Sequence, residues 1–400
     1  MEDNRFIKSI RLRNFLSYGP ETEAFELQPL NVLIGPNASG KSNLVEAFSL
    51  LHSAPSDLAS AVRAAGGVAD LLWKGGRDTP VAQIEAVVSN PHGSQPLRHR
   101  QEFTEVRQRL EVVDEAIENE APYEGHSDVY FYYRYQRGQP VLNVRDAGEP
   151  TAQPVQRRLQ REDVSPEGSV LRELREPRLY PELRYLAGEY DGIRVFGEWD
   201  MGRRAESRRP QPTDMPEDFL SESARNIALV LNDLQHRPDT RAVLVEQVRR
   251  LYPRTNDLTT RVHGGTVQLY LHERGLREPV PATRLSDGTL RYLCLLSVLC
   301  HPEPPPLVCI EEPELGLHPE AQLALADLLV EASTRTQLVV TTHSSQLIEA
   351  LSHVPEAVVV CERDDGGTRL RRLDRGMLRG WLDEYGLADL WAMGEIGGNP

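Results

Sequence analysis

The chain has 400 residues, 40% hydrophobic and 26% charged, with a formal net charge of −15. That composition is ordinary for a globular protein, and the acidic balance argues against coating nucleic acid by bulk electrostatics, although 42 arginines leave room for a local basic groove. No run approaches the roughly 18 apolar residues of a membrane helix, and the opening MEDNRFIKSIRLRNF has no signal-peptide core, so a cytoplasmic location with no membrane partner is expected.

In chain order, residues 6–34 read as two or three strands, the last of them the apolar run PLNVLIG. KSNLVEAFSLLHSA follows with apolar residues Leu44, Val45, Phe48 and Leu51 at helical spacing. Residues 55–99 predict a helix and then a strand, PVAQIEAVVSN. Phe103, Val106, Leu110, Val113 and Ile117 then recur every three or four residues, which predicts a helix packed on a neighbour. SDVYFYYRYQ reads as an aromatic strand whose tyrosines serve the core or the sheet surface rather than base stacking. Residues 146–180 read as a polar, mobile loop, 217–251 as helical, and RVHGGTVQLYLHERG as a hairpin. From Pro281 to Cys361 helix and strand alternate, and the tail carries an amphipathic stretch. The arginine cluster Arg203 to Arg209 reads as a solvated loop, and the four cysteines as small apolar residues with no metal spacing.

Four stretches carry chemistry. GPNASGKSN, from Gly35 through Pro36, Asn37, Ala38, Ser39, Gly40, Lys41 and Ser42 to Asn43, fits G-x-x-x-x-G-K-[ST] between a strand and a helix. Its backbone N–H groups and the helix N-terminus suit phosphates, with Lys41 on the β- and γ-phosphates of a nucleotide triphosphate and Ser42 on Mg²⁺. PPLVCIEEPELGLHP ends a buried strand in Glu311, which suits Mg²⁺, and Glu312, which suits positioning or deprotonating a water. Ser286 and Gly288 precede an apolar helix, where a serine either caps the helix or offers a hydroxyl to an anion. QLVVTTHSSQL ends a buried strand at Thr341, Thr342 and His343.

In this order the four resemble the Walker A, signature, Walker B and switch-histidine motifs of the ABC-type ATPases, with 25 residues from Ser286 to Glu311 and 31 from Glu312 to His343. IRLRNFLSYG before NVLIGPNASGKSNLVEA is similar to the SMC, RecF, RecN and OLD-type branch, and IEEPELGLHP, LSDGTLRYL and THSSQLIEAL resemble stand-alone AAA family ATPases of bacteria. The likeness covers residues 5–53 and 282–360 at motif level. It implies an α/β P-loop NTPase fold: an ABC/SMC-type head with a mixed central sheet, a helical lobe and a middle insertion. The expected parts are 1–95 with Walker A, an insertion at 96–180, a helical lobe and hairpin at 181–280, and 281–400 with the other motifs. The resemblance also implies two heads facing head to tail as a homodimer, with ATP between the Walker A of one and the signature of the other. Glu311 then assists Mg²⁺, Glu312 is the catalytic carboxylate and His343 senses the γ-phosphate.

Three positions depart from the family pattern. Glu311 stands where many relatives carry aspartate, Asp287 where the signature has its first glycine, and Leu16 where an arginine often follows NF. Gln83 is the candidate Q-loop glutamine. Only 35 residues follow Asp365, too few for the Toprim domain of OLD-type nucleases, so Glu362, Asp364 and Asp365 read as a charged hairpin turn. The expectation is an ATP-hydrolysing enzyme that dimerises around ATP and acts in DNA repair or anti-phage defence, engaging DNA or gating an effector protein. The alternatives are a nucleotide-dependent scaffold or sensor with little hydrolysis and, behind it, a transport cassette.

Overall fold

The computed structural model describes residues 5–76, 79–136, 139–144, 155–160, 164–174, 176, 179–378, 380–382 and 384–398. The chain enters β1 (Ile7–Arg13), the short β2 (Phe25–Glu26) and β3 (Leu30–Ile34), whose five residues are all buried. β3 runs through the glycine loop into α1 (Lys41–Ser53), followed by α2 (Leu58–Ala64) and α3 (Val68–Leu71). Six strands come next: β4 (Ala82–Val88), β5 (Leu97–Val106), β6 (Arg109–Asn119), β7 (Phe131–Gln136), β8 (Gln139–Val144) and β9 (Val155–Arg158). With β1 and β2 they form an antiparallel eight-stranded sheet in the order β2-β1-β4-β5-β6-β7-β8-β9. The division expected at 95–96 falls between β4 and β5, which are neighbours in this sheet.

The helix expected over Phe103 to Ile117 is corrected: this stretch is the β5–β6 hairpin. Its turn, Arg107–Gln108, has both residues at positive φ (51° and 64°) without the glycine or asparagine that usually marks such a turn. Alternation is real along β5, but two of its four buried positions, Leu97, His99, Gln101 and Phe103, are polar, so it does not read as apolar. The aromatic strand is β7; Tyr132 and Tyr133 are buried, and the Tyr132 hydroxyl donates to Asn119 Oδ1 at 3.0 Å. The loop expected at 146–180 lies partly outside the described residues; the described part includes β9 and α4 (Val170–Glu173).

The chain continues through α5 (Pro181–Gly192), β10 (Arg194–Phe196), β11 (Gln211–Pro212), α6 (Ile227–Gln235), α7 (Pro238–Leu251), the hairpin β12 (Thr255–His263) and β13 (Thr266–Glu273), and β14 (Val280–Pro281). Residues 217–226 precede α6 as turns rather than helix. Then come α8 (Asp287–Leu299), β15 (Leu307–Glu311), α9 (Pro319–Ala332), β16 (Gln337–Thr341), α10 (Ser345–Ala350), β17 (Val358–Asp364), β18 (Gly367–Arg372) and α11 (Leu387–Met393).

The central sheet is ordered β10-β15-β16-β3-β17-β18 and is mixed: β18 alone pairs antiparallel. It is buried on both faces, which is why its strands read as unbroken apolar runs. Val32, Ile34, Val308, Ile310, Leu338 and Val340 face one core, with α6, α8 and α9. Leu33, Leu307, Cys309 and Val339 face the other, with α1, α5 and the antiparallel sheet. Because β3, β15 and β16 are parallel and in register, with Glu311 opposite Thr341 and Thr341 opposite Leu33, their C-terminal ends lie side by side. That edge is where open α/β sheets place their ligands.

Candidate nucleotide site

The glycine loop is held in shape by backbone conformation and by a collar of side chains. Gly40 sits at φ 106°, and a Cβ there would lie 2.3 Å from Thr368 Oγ1 and 2.6 Å from Ser17 Oγ, so only glycine fits. The Thr368 hydroxyl donates to Ser39 O at 2.8 Å, the Tyr18 hydroxyl donates to Gly40 O at 3.1 Å, and Asn43 Nδ2 donates to Ser17 Oγ at 2.7 Å. Thr368 stands on β18, so the β17–β18 hairpin braces the loop. The acids Glu362, Asp364 and Asp365 belong to that hairpin, as expected, with Asp364 paired to Arg369 at 2.9 Å.

Lys41 opens α1 and is buried; its Nζ donates to Gly35 O at 2.7 Å and Pro36 O at 2.9 Å, curling the loop around the ammonium. Burial lowers the Lys41 pKa, and Glu312 and Glu311 oppose that fall. α1 begins without any side-chain cap, leaving its first N–H groups facing the loop. Ser39 Oγ is buried and has no hydrogen-bond partner among the described residues. Asn37, Ala38 and Ser42 are exposed, and Ala38 takes a left-handed conformation at φ 63°.

Across the sheet edge, the Ser42 hydroxyl lies beside the Glu311 carboxylate, whose pKa is raised, first by burial and also by Glu312, against the lowering influence of Ser42 and Lys41. Glu312 leaves β15 at φ 44°, a left-handed conformation that costs a non-glycine residue about 1–3 kcal/mol. Its N–H donates to Thr341 O at 3.0 Å. That turn brings its Oε1 to 3.8 Å from His343 Nε2. Burial lowers the His343 pKa, Lys41 lowers it further, and Glu312 and Glu314 act against both. The expected Lys41, Ser42, Glu311, Glu312 and His343 are thus brought together.

Glu314 was not singled out in the sequence. It is buried, and its Oε1 accepts from the Thr342 hydroxyl at 2.6 Å and the His343 N–H at 3.0 Å, fixing the backbone that presents the histidine. Its only sequence signal is its place two residues after Glu312.

Ser286 and Gly288 are not part of this gathering. Ser286 is exposed and caps α8, accepting from Thr289 N at 3.0 Å. A Cβ on Gly288 would meet Gly316 O at 2.5 Å, so the signature helix abuts the turn that follows Glu314. Asp287 pairs with Arg208, a buried member of the cluster expected to be solvated; Arg203, Arg204 and Arg209 are exposed as expected. Gln83 donates to Glu102 Oε1 at 3.1 Å within the antiparallel sheet. Cys294, Cys309 and Cys361 are buried and Cys300 half-buried, and among the described residues no group of three or more His, Cys, Asp or Glu is gathered as a metal cluster. Among those residues no helix is long and apolar enough to cross a membrane.

The residues fit a nucleotide with a hard divalent cation. Uncapped N–H groups, an unpartnered Ser39 hydroxyl and the Lys41 ammonium suit phosphate oxygens, and the Ser42–Glu311 pair supplies oxygen ligands of the type Mg²⁺ takes.

Comparison with known proteins agrees with this geometry. Among solved structures the chain is similar to an SmcHead bound to the C-winged helix domain of ScpA, at 15% identity and TM-score 0.59, covering 93% of this chain and 99% of that one. It is similar to an Smc head domain with an extended coiled coil bound to the C-terminal domain of ScpA derived from Pyrococcus furiosus, at 15% identity and TM-score 0.58, covering 95% and 99%. A head domain with a coiled coil and joint from Pyrococcus yayanosii gives 13% identity and TM-score 0.51, covering 95% and 99%. No curated protein matches. A family model described as "AAA domain, putative AbiEii toxin, Type IV TA system" matches residues 30–349. The chain therefore belongs to this AAA-domain family, and its fold is that of an SMC-type P-loop ATPase head.

Proposed function

We propose that the protein binds ATP with Mg²⁺, hydrolyses it, and dimerises head to tail around it. The observation that carries this reading is the meeting of Lys41, the Ser42–Glu311 pair and the Glu312–His343 pair at the ends of β3, β15 and β16. Lys41 and the α1 N–H groups bind the β- and γ-phosphates, and Ser42 and Glu311 hold the cation, which neutralises charge on the phosphates. A groove of about 500 Å³ beginning at Ser17 and Asn43 and reaching Trp73 receives the nucleoside. Glu312 orients and deprotonates the attacking water, and His343 hydrogen-bonds the γ-phosphate. Ser286 is exposed, and it and Asp287 bond Thr289 and Arg208, which lie outside the phosphate loop; this favours a nucleotide on a second copy. ATP then acts as a removable link whose hydrolysis shifts the population back to monomers.

The wider role in this reading is defence or DNA repair, through DNA or an effector protein. The family description names a toxin and a Type IV TA system, and the Smc head of similar fold is bound to a domain of ScpA, both of which favour a protein partner. The test is steady-state ATP hydrolysis with and without duplex and single-stranded DNA at two salt concentrations, with Glu312→Gln as blank. Hydrolysis above that blank supports the enzyme; salt-sensitive stimulation supports DNA, and indifference to DNA supports a protein partner. A rate equal to that of Glu312→Gln would leave a nucleotide-dependent scaffold as the better reading.

A further inference from the structure

Arg208 lies outside every recognised motif, yet its guanidinium is committed to the signature. Its side chain is 4% exposed, whereas that of its ion-pair partner Asp287 is 73% exposed. Nε donates to Met201 O at 2.9 Å and Gly202 O at 3.1 Å. Nη1 donates to Leu285 O at 2.6 Å and Ala282 O at 3.3 Å, and Nη2 donates to Asp287 Oδ1. One cation thus joins the 201–202 turn to the carbonyl just before Ser286 and the carboxylate just after it. A planar fork of five donors can do this, and a lysine cannot.

The burial is informative. A guanidinium taken out of water is strongly disfavoured unless paired, and among the described residues Asp287 is the one carboxylate bonded to it. Asp287 in turn places a negative charge in the first turn of α8, beside the exposed Ser286. Left alone, that charge would repel any phosphate reaching the serine. Arg291, one turn along α8, also faces Asp287, but it is shared with Glu198 and Glu314 and lies over the Trp199 ring.

We infer that Arg208 is a positioning residue of the signature: it fixes the backbone before Ser286 and the carboxylate after it, and cancels the charge of Asp287, so that the triphosphate held by a second copy can approach. This rests on the reading that Ser286 meets a partner's nucleotide. Arg208 touches neither Lys41 nor the phosphate loop, so it governs dimerisation and leaves binding of ATP to the single chain intact.

The test places Arg208→Gln in the hydrolysis-deficient Glu312→Gln background and measures two things: affinity for ATP at protein concentrations where the chain is monomeric, and mass by light scattering with ATP and Mg²⁺. The inference predicts unchanged ATP affinity and a dimerisation constant weakened at least about tenfold. Adding Asp287→Asn removes the charge that needs cancelling and restores part of the loss. Asp287→Asn alone, which keeps an oxygen acceptor for Arg208 but removes its counter-charge, lowers thermal stability yet dimerises as well as its parent or better, and it serves if Arg208→Gln does not fold. A merely structural Arg208 would lower ATP affinity and thermal stability together, without rescue. Equal dimerisation with and without Arg208, or Asp287→Asn as damaging as Arg208→Gln, overturns the inference. If the parent Glu312→Gln itself fails to dimerise with ATP, the shared-site reading fails and this inference falls with it.

Discussion

Glu312 Oε1 lies 3.8 Å from His343 Nε2, across the ends of two adjacent parallel strands and 31 residues apart in sequence. The pair is set up by backbone: Glu312 turns through φ 44° and donates its N–H to Thr341 O, on the strand that presents the histidine. Under the proposed function this carboxylate acts on the attacking water. Glu312→Gln should therefore cut the single-turnover rate of ATP hydrolysis about 10²–10⁴-fold while ATP affinity is retained. Equal rates in the two proteins would remove Glu312 from the chemistry.

Glu314 should matter through His343 rather than directly. Its Oε1 takes both hydrogen bonds, and its Oε2 is buried with no partner among the described residues. Glu314→Gln keeps the acceptor and should be mild. Glu314→Ala leaves the Thr342 hydroxyl and His343 N–H unpaired, a loss of about 1–3 kcal/mol for each buried group. Urea denaturation of the two variants checks this, and an Ala variant as stable as the Gln variant would contradict it.

The pH profile follows from the direction of the His343 shift. Burial and Lys41 hold its pKa below the ordinary value of about 6.5, so the ring is neutral at pH 7 and gains its proton only at lower pH. Hydrolysis should be level from about pH 8 to 6.5 and fall below that, and His343→Gln should lose this limb of the profile. An acidic limb centred above pH 6.5 in the unmodified protein would count against His343.

Gly288→Ala tests how closely the signature helix abuts the turn after Walker B. Alanine favours helix by roughly 1 kcal/mol over glycine, but here its Cβ would come to 2.5 Å from Gly316 O, a backbone atom with little freedom to yield. The clash should win, with a net loss of about 1–3 kcal/mol in thermal or urea unfolding. A more stable variant would show that the two elements are not held together.

The central sheet and the site were legible because each motif sits where a buried apolar strand stops or a helix starts. PLNVLIG, PPLVCI and QLVV are the parallel strands β3, β15 and β16, and the candidate site residues lie at or just beyond their C-terminal ends. The β5–β6 hairpin was not legible. His99, Gln101 and Glu115 are buried polar residues that bond one another, with His99 Nε2 3.2 Å and Gln101 Nε2 3.3 Å from Glu115 Oε1. They broke the apolar alternation and left Phe103, Leu110 and Ile117 at a false helical spacing. Arg208, Glu314 and Thr368 were missed for another reason: their partners lie 77, 28 and 329 residues away, and only the folded chain brings them together.

The most direct measurement is the mass of Glu312→Gln in solution by light scattering, with and without ATP and Mg²⁺, beside Lys41→Ala in the same background. The 45.0 kDa chain should double its mass with ATP, and the Lys41→Ala protein should stay single. A mass that ATP leaves unchanged, in a protein shown to bind it, would contradict a nucleotide shared between Lys41 of one copy and Ser286 of another.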